Sequence, residues 1–160
     1  MSISDRIVVM RKGVAEQIGK PQEVYDSPAN LFVATFLGTP PINVFRGSVV
    51  SDTLRIGEDA VLALSGVPDQ EVVVGVRPEG LLLRREGPFR CHLNSIEVLG
   101  RDVSILSSHD ASINPVIRSI ISAESAVDAS SSIVSFALHP DKVFLFNKET
   151  EERIFWRRQD

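Results

Sequence analysis

The amino-acid pattern predicts a mainly β chain, built as a barrel or a pair of small sheets and preceded by a short hairpin and helices. Three observations carry this. Beyond Asn43 the apolar residues recur with period two or in short bursts separated by turn residues. Thr39-Pro40-Pro41 interrupts the chain, because two prolines remove two backbone donors and favour an extended path. Before that break, the first 38 residues carry hairpin and helix signals instead. The expected division is therefore residues 1–38 and residues 39–160.

Each element follows from local signals. Ile7 to Met10 is apolar, Arg11-Lys12-Gly13 is a turn signal, and Val14 to Ile18 forms the second arm, ended by Gly19-Lys20-Pro21. Pro21 suits the first turn of a short helix, with Glu23 near its positive end and Val24 and Tyr25 as apolar contacts. Ser27-Pro28 repeats the helix-start signal, and Gly38 stands where a left-handed stop belongs. Leu31, Phe32, Val33, Ala34, Phe36 and Leu37 make this second helix apolar on most sides, which predicts cover on nearly all faces. The strands expected after the break are Ser48 to Val50, Leu54 to Ile56, Ala60 to Leu64, Val72 to Val76, Leu81 to Leu83, His92 to Leu99, Val103 to Leu106, Val116 to Ile121, Ile133 to Leu138 and Val143 to Phe146. Ser122 to Ser132 scatters polar residues without a period and reads as a loop.

Composition excludes several functions. A hydrophobic share of 43% with 24% charged residues is that of a folded chain with its own core. The net charge of −4 argues against nucleic acid, which demands clustered Lys and Arg; the short clusters at 84–86 and 156–158 read as solvated faces. No apolar run approaches the roughly 18 residues of a membrane-spanning helix, and no basic region followed by an apolar stretch opens the chain. Cys91 is the single cysteine, so an intrachain disulfide is impossible, and with only His92 beside it no zinc site is expected. Ser108-His109-Asp110 holds the residue types of a hydrolase triad, but adjacent residues cannot line up as nucleophile, base and orienter, so a polar turn is expected.

The stretch from Asp5 to Phe45 resembles the end of the ATPase core in maltose-type sugar-importing ABC transporters. Val74-Gly75-Val76-Arg77-Pro78-Glu79 is similar to the Gly-Ile/Val-Arg-Pro-Glu element of the regulatory domain that follows that core. Ile96-Glu97-Val98-Leu99-Gly100 and His139-Pro140-Asp141-Lys142-Val143-Phe144-Leu145-Phe146 resemble two later strands of the same domain. The chain departs from the family in three turns: Asn147 stands where Asp is common, Thr150-Glu151-Glu152 replaces a Thr-Gly turn, and Asp128-Ala129-Ser130 takes the place of a Gly-Asp turn.

The resemblance implies that residues 1–38 are the remnant of an ATPase core, and that residues 39–160 are the oligonucleotide-binding-type (OB-type) barrel called TOBE. It implies a regulatory and dimerising role, a second copy of the chain as partner, membrane permease subunits in the intact transporter, and in some members a cytoplasmic regulatory protein. The implied location is cytoplasmic, peripheral on the inner face of the membrane. ATP and magnesium belong to the parent family. This chain holds no Gly-x-x-x-x-Gly-Lys-Ser/Thr loop, and its one Gly-Lys step, Gly19-Lys20, leads to Pro21 instead of a hydroxyl, so no nucleotide chemistry, catalytic residue or metal ligand is expected here. The Thr39-Pro40-Pro41-Ile42-Asn43 linker favours a sugar importer over polyamine or iron importers.

Candidate regulatory or interface positions are Arg77, Glu79, Gly75 and Gly100. For Arg77-Pro78-Glu79 two readings stand: a latch, with the guanidinium forking onto a carboxylate across a dimer or domain boundary, or a strand end with both charges solvated. Gly75 and Gly100 predict close backbone approach or positive φ. Ile7, Val8, Val9 and Met10 predict an apolar strand edge that a second copy or the barrel itself must cover. The rival functions are a stand-alone module binding small oxyanions such as molybdate, which needs converging amides with Lys, Ser or Thr, and an enzyme of another kind, for which no spaced catalytic set is present.

Overall fold

The computed structural model describes residues 5–38, 40–122 and 130–158, and only the backbone of Leu99. The expected loop at Ser122 to Ser132 and the turn at Asp128-Ala129-Ser130 fall largely outside the described residues.

Strands β1 (Ile7–Arg11) and β2 (Val14–Gly19) form an antiparallel hairpin. Its turn works because Lys12 and Gly13 both adopt positive φ, of 51° and 81°, the geometry that matches strand twist. Helix α1 (Pro21–Asp26) begins on Pro21 as its sequence demands. Helix α2 spans Leu31–Phe36, and its cap differs from the expected Ser27: the Asn30 side chain accepts the Val33 N–H at 2.9 Å. Ser27 instead closes α1, its N–H bonding Glu23 O. The serine sits too far upstream because the chain spends residues 27–30 crossing to the barrel, where Asn30 bridges Glu152.

After the proline break come β3 (Asn43–Val50), β4 (Thr53–Ile56), β5 (Asp59–Ser65), β6 (Gln70–Val76), β7 (Leu81–Leu83), β8 (Phe89–Leu99), β9 (Asp102–Ser108), β10 (Ile117–Ser122), β11 (Ile133–Leu138), β12 (Val143–Asn147), β13 (Arg153–Ile154) and β14 (Arg157–Arg158). The fold is mainly β and barrel-like, as OB-type architecture requires. Two sheets build it, one ordered β13-β12-β6-β3-β4-β5-β14 and the other β10-β9-β8-β11-β7. Their facing side chains, including Phe45, Leu54, Val74, Phe89, Ile105, Ile117, Phe136 and Leu145, make one buried core.

Residues 5–38 have a small core of their own, where Val9 meets Val24 and Val33. Helix α2 also supplies Ala34 and Leu31 to an apolar cluster on the outside of the larger sheet, with Ile42, Val44, Val73, Phe144 and Phe146. The helices, and not the barrel, therefore cover Val9. Cover of α2 is incomplete, since Phe36 is 61% exposed: a six-residue helix has only enough surface to bury the Val33–Ala34 side fully.

Candidate functional site

The chain's least expected side chain is Arg77, a guanidinium only 1% exposed. It follows β6 directly, where Pro78 opens a single 3-10 turn over Pro78–Gly80. From there it reaches out of the barrel into residues 5–38. Nη1 donates to Ala34 O at 2.9 Å and to Leu37 O at 2.8 Å, and Nη2 donates to Tyr25 O at 2.9 Å. These are carbonyls at the C-terminal ends of α1 and α2, which have no helical partner and carry partial negative charge. The guanidinium lies 4.0 Å from the centre of the Tyr25 ring, an added cation–π attraction. Burial pulls its pKa below the usual arginine value.

Glu79 completes the join by accepting the Tyr25 hydroxyl at 2.7 Å. Burial first, and this bond second, push the Tyr25 pKa up. Arg77 thus spans the two parts of the chain, but its fork closes on backbone carbonyls instead of a carboxylate, and the solvated reading fails for it. The acidic partner holds a tyrosine instead, while three carbonyls at the helix ends take three of the four N–H groups on the terminal guanidinium nitrogens.

A second arginine makes the same crossing, and sequence reasoning missed it. Arg153, on β13, donates from Nη1 to Pro28 O at 3.0 Å and Ser27 Oγ at 3.3 Å. Its guanidinium is 4.7 Å from the centres of both the Phe144 and the Phe155 rings. Phe144 also lies 5.7 Å from the Arg77 guanidinium, so one ring borders both cations. Backbone bonds run alongside, from Leu31 N to Glu151 O and from Arg153 N to Ala29 O. The only hint in the sequence was an arginine directly before the apolar run Ile154-Phe155-Trp156, a pattern shared by many solvated strands.

The remaining candidates have plainer places. A Cβ on Gly75 would stand 2.8 Å from Ile42 Cδ1, so glycine lets the linker pack flat on β6. Gly100 has φ of +66° with open space around it, and serves the turn between β8 and β9. Neither touches the join. Ile7 is half-buried and Val9 buried, whereas Val8 and Met10 are 49% and 54% exposed; they share the outer face of the hairpin with exposed Ile18. β1 pairs only with β2 among the described residues.

Beyond the 3-10 turn at Pro140–Lys142, a cavity of 560 Å³ is lined by residues that include Asp26, His139, Lys142, Phe144, Arg153 and Trp156. A second cleft of 430 Å³ holds Asp59, Arg90, His92 and His109. There His109 Nε2 lies 3.4 Å from Asp59, while its Nδ1 accepts the Ala111 N–H at 3.0 Å. Ser108 bonds Asn94, not His109, so no triad forms. Among the described residues no group of His, Cys, Asp and Glu could hold a metal ion, and no helix is long and apolar enough to cross a membrane.

The fold is thus a mainly β, barrel-like body to which buried Arg77 and half-buried Arg153 join a small helical unit, and comparison with known proteins gives its family. The chain belongs to the ATP-binding subunits of sugar-type ABC importers. It is 32% identical over 154 residues to the sn-glycerol-3-phosphate import ATP-binding protein of Ruegeria pomeroyi, covering 96% of this chain and 43% of that protein. Over 110 residues it is 41% identical to the protein of the same name from Pectobacterium atrosepticum, covering 64% and 31%. It is 31% identical over 170 residues to the oligosaccharides import ATP-binding protein of Bacillus subtilis, covering 96% and 46%. The chain spans less than half the length of these relatives. No family model matches it.

Proposed function

We propose that the chain is the regulatory and dimerising portion of an importer's ATP-binding subunit, with residues 1–38 belonging to the end of an ATPase core and residues 39–160 to the regulatory TOBE barrel. The observation that carries this reading is the Arg77 crossing: three short bonds from the barrel to the ends of both helices make the two parts move as one body. A displacement of the helices during a nucleotide cycle would then be transmitted to the barrel without loss in a flexible linker. The contribution of this portion is assembly and coupling, with ATP and magnesium handled elsewhere in the intact protein. Permease subunits are its membrane partners, its place is the cytoplasmic face of the membrane, and a cytoplasmic regulatory protein is a candidate second partner. The names of the relatives point to a sugar or a polyol phosphate as the transported solute.

Pairing with a second copy would use the outer hairpin face, where Val8, Met10 and Ile18 form an apolar surface on a strand with a free edge. Sedimentation equilibrium tests this. A concentration-dependent dimer is expected, shifted to monomer by Val8→Glu with Met10→Glu. A chain that stays monomeric at every concentration removes the dimerising role.

A further inference from the structure

We propose that the 560 Å³ cavity beside the join is a binding site for a small molecule that carries one oxyanion group on a planar or apolar body. The cavity lies against both parts of the chain: Asp26 comes from the end of α1, His139 and Lys142 from the 3-10 turn, Phe144 from β12, Arg153 from β13, and Trp156 from the link to β14. Its volume falls in the range of small-molecule pockets, and a bare tetrahedral ion would occupy only a small part of it.

The charge balance points to an anion. Arg153 is half-buried, and no carboxylate pairs with it among the described residues; only a carbonyl, a hydroxyl and two ring faces approach it. Burial alone depresses its pKa, with no neighbouring charge to offset the loss of water. A half-buried guanidinium without a counter-charge is poorly solvated, and an anion in the cavity would offset part of that loss. The other donors are also uncommitted. The Lys142 ammonium faces the Tyr25 ring at 5.6 Å and makes no ion pair among the described residues. His139 Nδ1 accepts the Asp141 N–H, leaving Nε2 as the ring nitrogen free to donate. Of the two acids of the cavity wall, Asp141 pairs with Arg158, while Asp26 keeps its charge and accepts only from the Gln22 amide; against them stand Lys142, Arg153 and Arg158, so the wall carries one more cation than anion. Half-buried Trp156 then supplies the apolar wall on which a ring can lie.

Trp156 is the chain's only tryptophan, so its fluorescence reports this site alone. The 160-residue chain is titrated with phenyl phosphate and with sulfate, and the same titrations are followed by calorimetry. The expected result is saturable one-to-one binding of phenyl phosphate, tighter than sulfate because the ring adds contact. Arg153→Gln and Lys142→Gln should each weaken it about tenfold or more, the loss of one charge-assisted hydrogen bond. Arg84→Gln, exposed and distant from the cavity, should leave it unchanged. Lys142→Gln keeps the test decisive if Arg153→Gln does not fold, since Lys142 takes no part in the crossing bonds. Absence of saturable binding by either probe overturns the site, as does undiminished binding by the Lys142 variant. The proposal goes beyond the pairing role: a monomeric chain that binds phenyl phosphate would sink the dimer and leave the site standing.

Discussion

At the scale of single residues, the molecule depends on a few buried polar side chains that bond backbone groups of distant segments. Arg77 is worth more as a bridge than as a charge, because Arg77→Met would strand three helix-end carbonyls in an apolar setting. A loss of about 3 kcal/mol or more is expected, read as a lower urea midpoint. Glu151 illustrates the opposite case. It holds φ of +63°, a conformation that favours glycine, and its backbone bonds, N–H to Asn147 O and O to Leu31 N, do not need its side chain. Glu151→Gly should therefore be neutral to stabilising, by up to about 1 kcal/mol in thermal unfolding. Asn147 accepts the N–H groups of Glu149 and Thr150 as an aspartate would, so that departure from the family costs the turn nothing visible. Cys91 is buried in the barrel core, and burial pushes its thiol pKa up to about 12. The fold thus favours the neutral thiol: its contribution is fully present below the unfolded-state value of about 8.5 and lost as pH rises toward 12. Stability should fall across that alkaline window, and denaturant melts of Cys91→Ala should show a shallower fall than the parent.

At the scale of elements, short pieces are stable because each is tied to something non-local. Helices α1 and α2 are six residues each, far below the length at which a helix persists alone. They exist because the Arg77 and Arg153 bonds and the Ala34 contact to the sheet hold them. Strand β3 has a comparable anchor. Asn43 is buried, donates through Nδ2 to Val76 O at 3.2 Å and Arg118 O at 2.9 Å, and accepts from Arg118 N at 3.0 Å, which ties the larger sheet to β10 of the smaller one. Asn43→Ala removes these bonds and leaves buried backbone groups unmet. A destabilisation of about 2–3 kcal/mol is expected by chemical denaturation, with the native circular dichroism spectrum retained. The hairpin is tied on one face only, through Val9, which is why its other face stays apolar and open.

At the scale of the whole molecule, two barrel sheets and a helical unit share polar and apolar contacts densely enough to unfold together. Scanning calorimetry should give one transition, and Arg77→Met should separate an early unfolding of residues 5–38 from that of the barrel. Neither the barrel nor the helical unit presents a glycine-rich phosphate cradle, so magnesium–ATP should leave that transition unmoved.

Much of this architecture was legible beforehand, and the reasons are local. Alternating apolar runs between turn residues specify strands whatever their partners, and every strand expected after the break is present, from Ser48–Val50 within β3 to Val143–Phe146 within β12. Lys12-Gly13 marks its own turn. The helix start moved from Ser27 to Asn30 because the bridge to Glu152 lies more than a hundred residues away in sequence. The partners of Arg77, for which the sequence leaves a latch and a solvated strand end both open, and those of Arg153, which the sequence does not single out, were hidden for the same reason. A guanidinium is read as solvated until its surroundings are known, and those surroundings are carbonyls and rings brought together only by folding. The sequence by itself determined a β-rich, mildly acidic chain and the places of its strands and turns, because those properties reside in residue type and spacing. Only the tertiary structure decided which charges are buried, which helix ends they bind, and that one arginine faces a cavity without a counter-charge, because each depends on what distant segments place within a few ångströms.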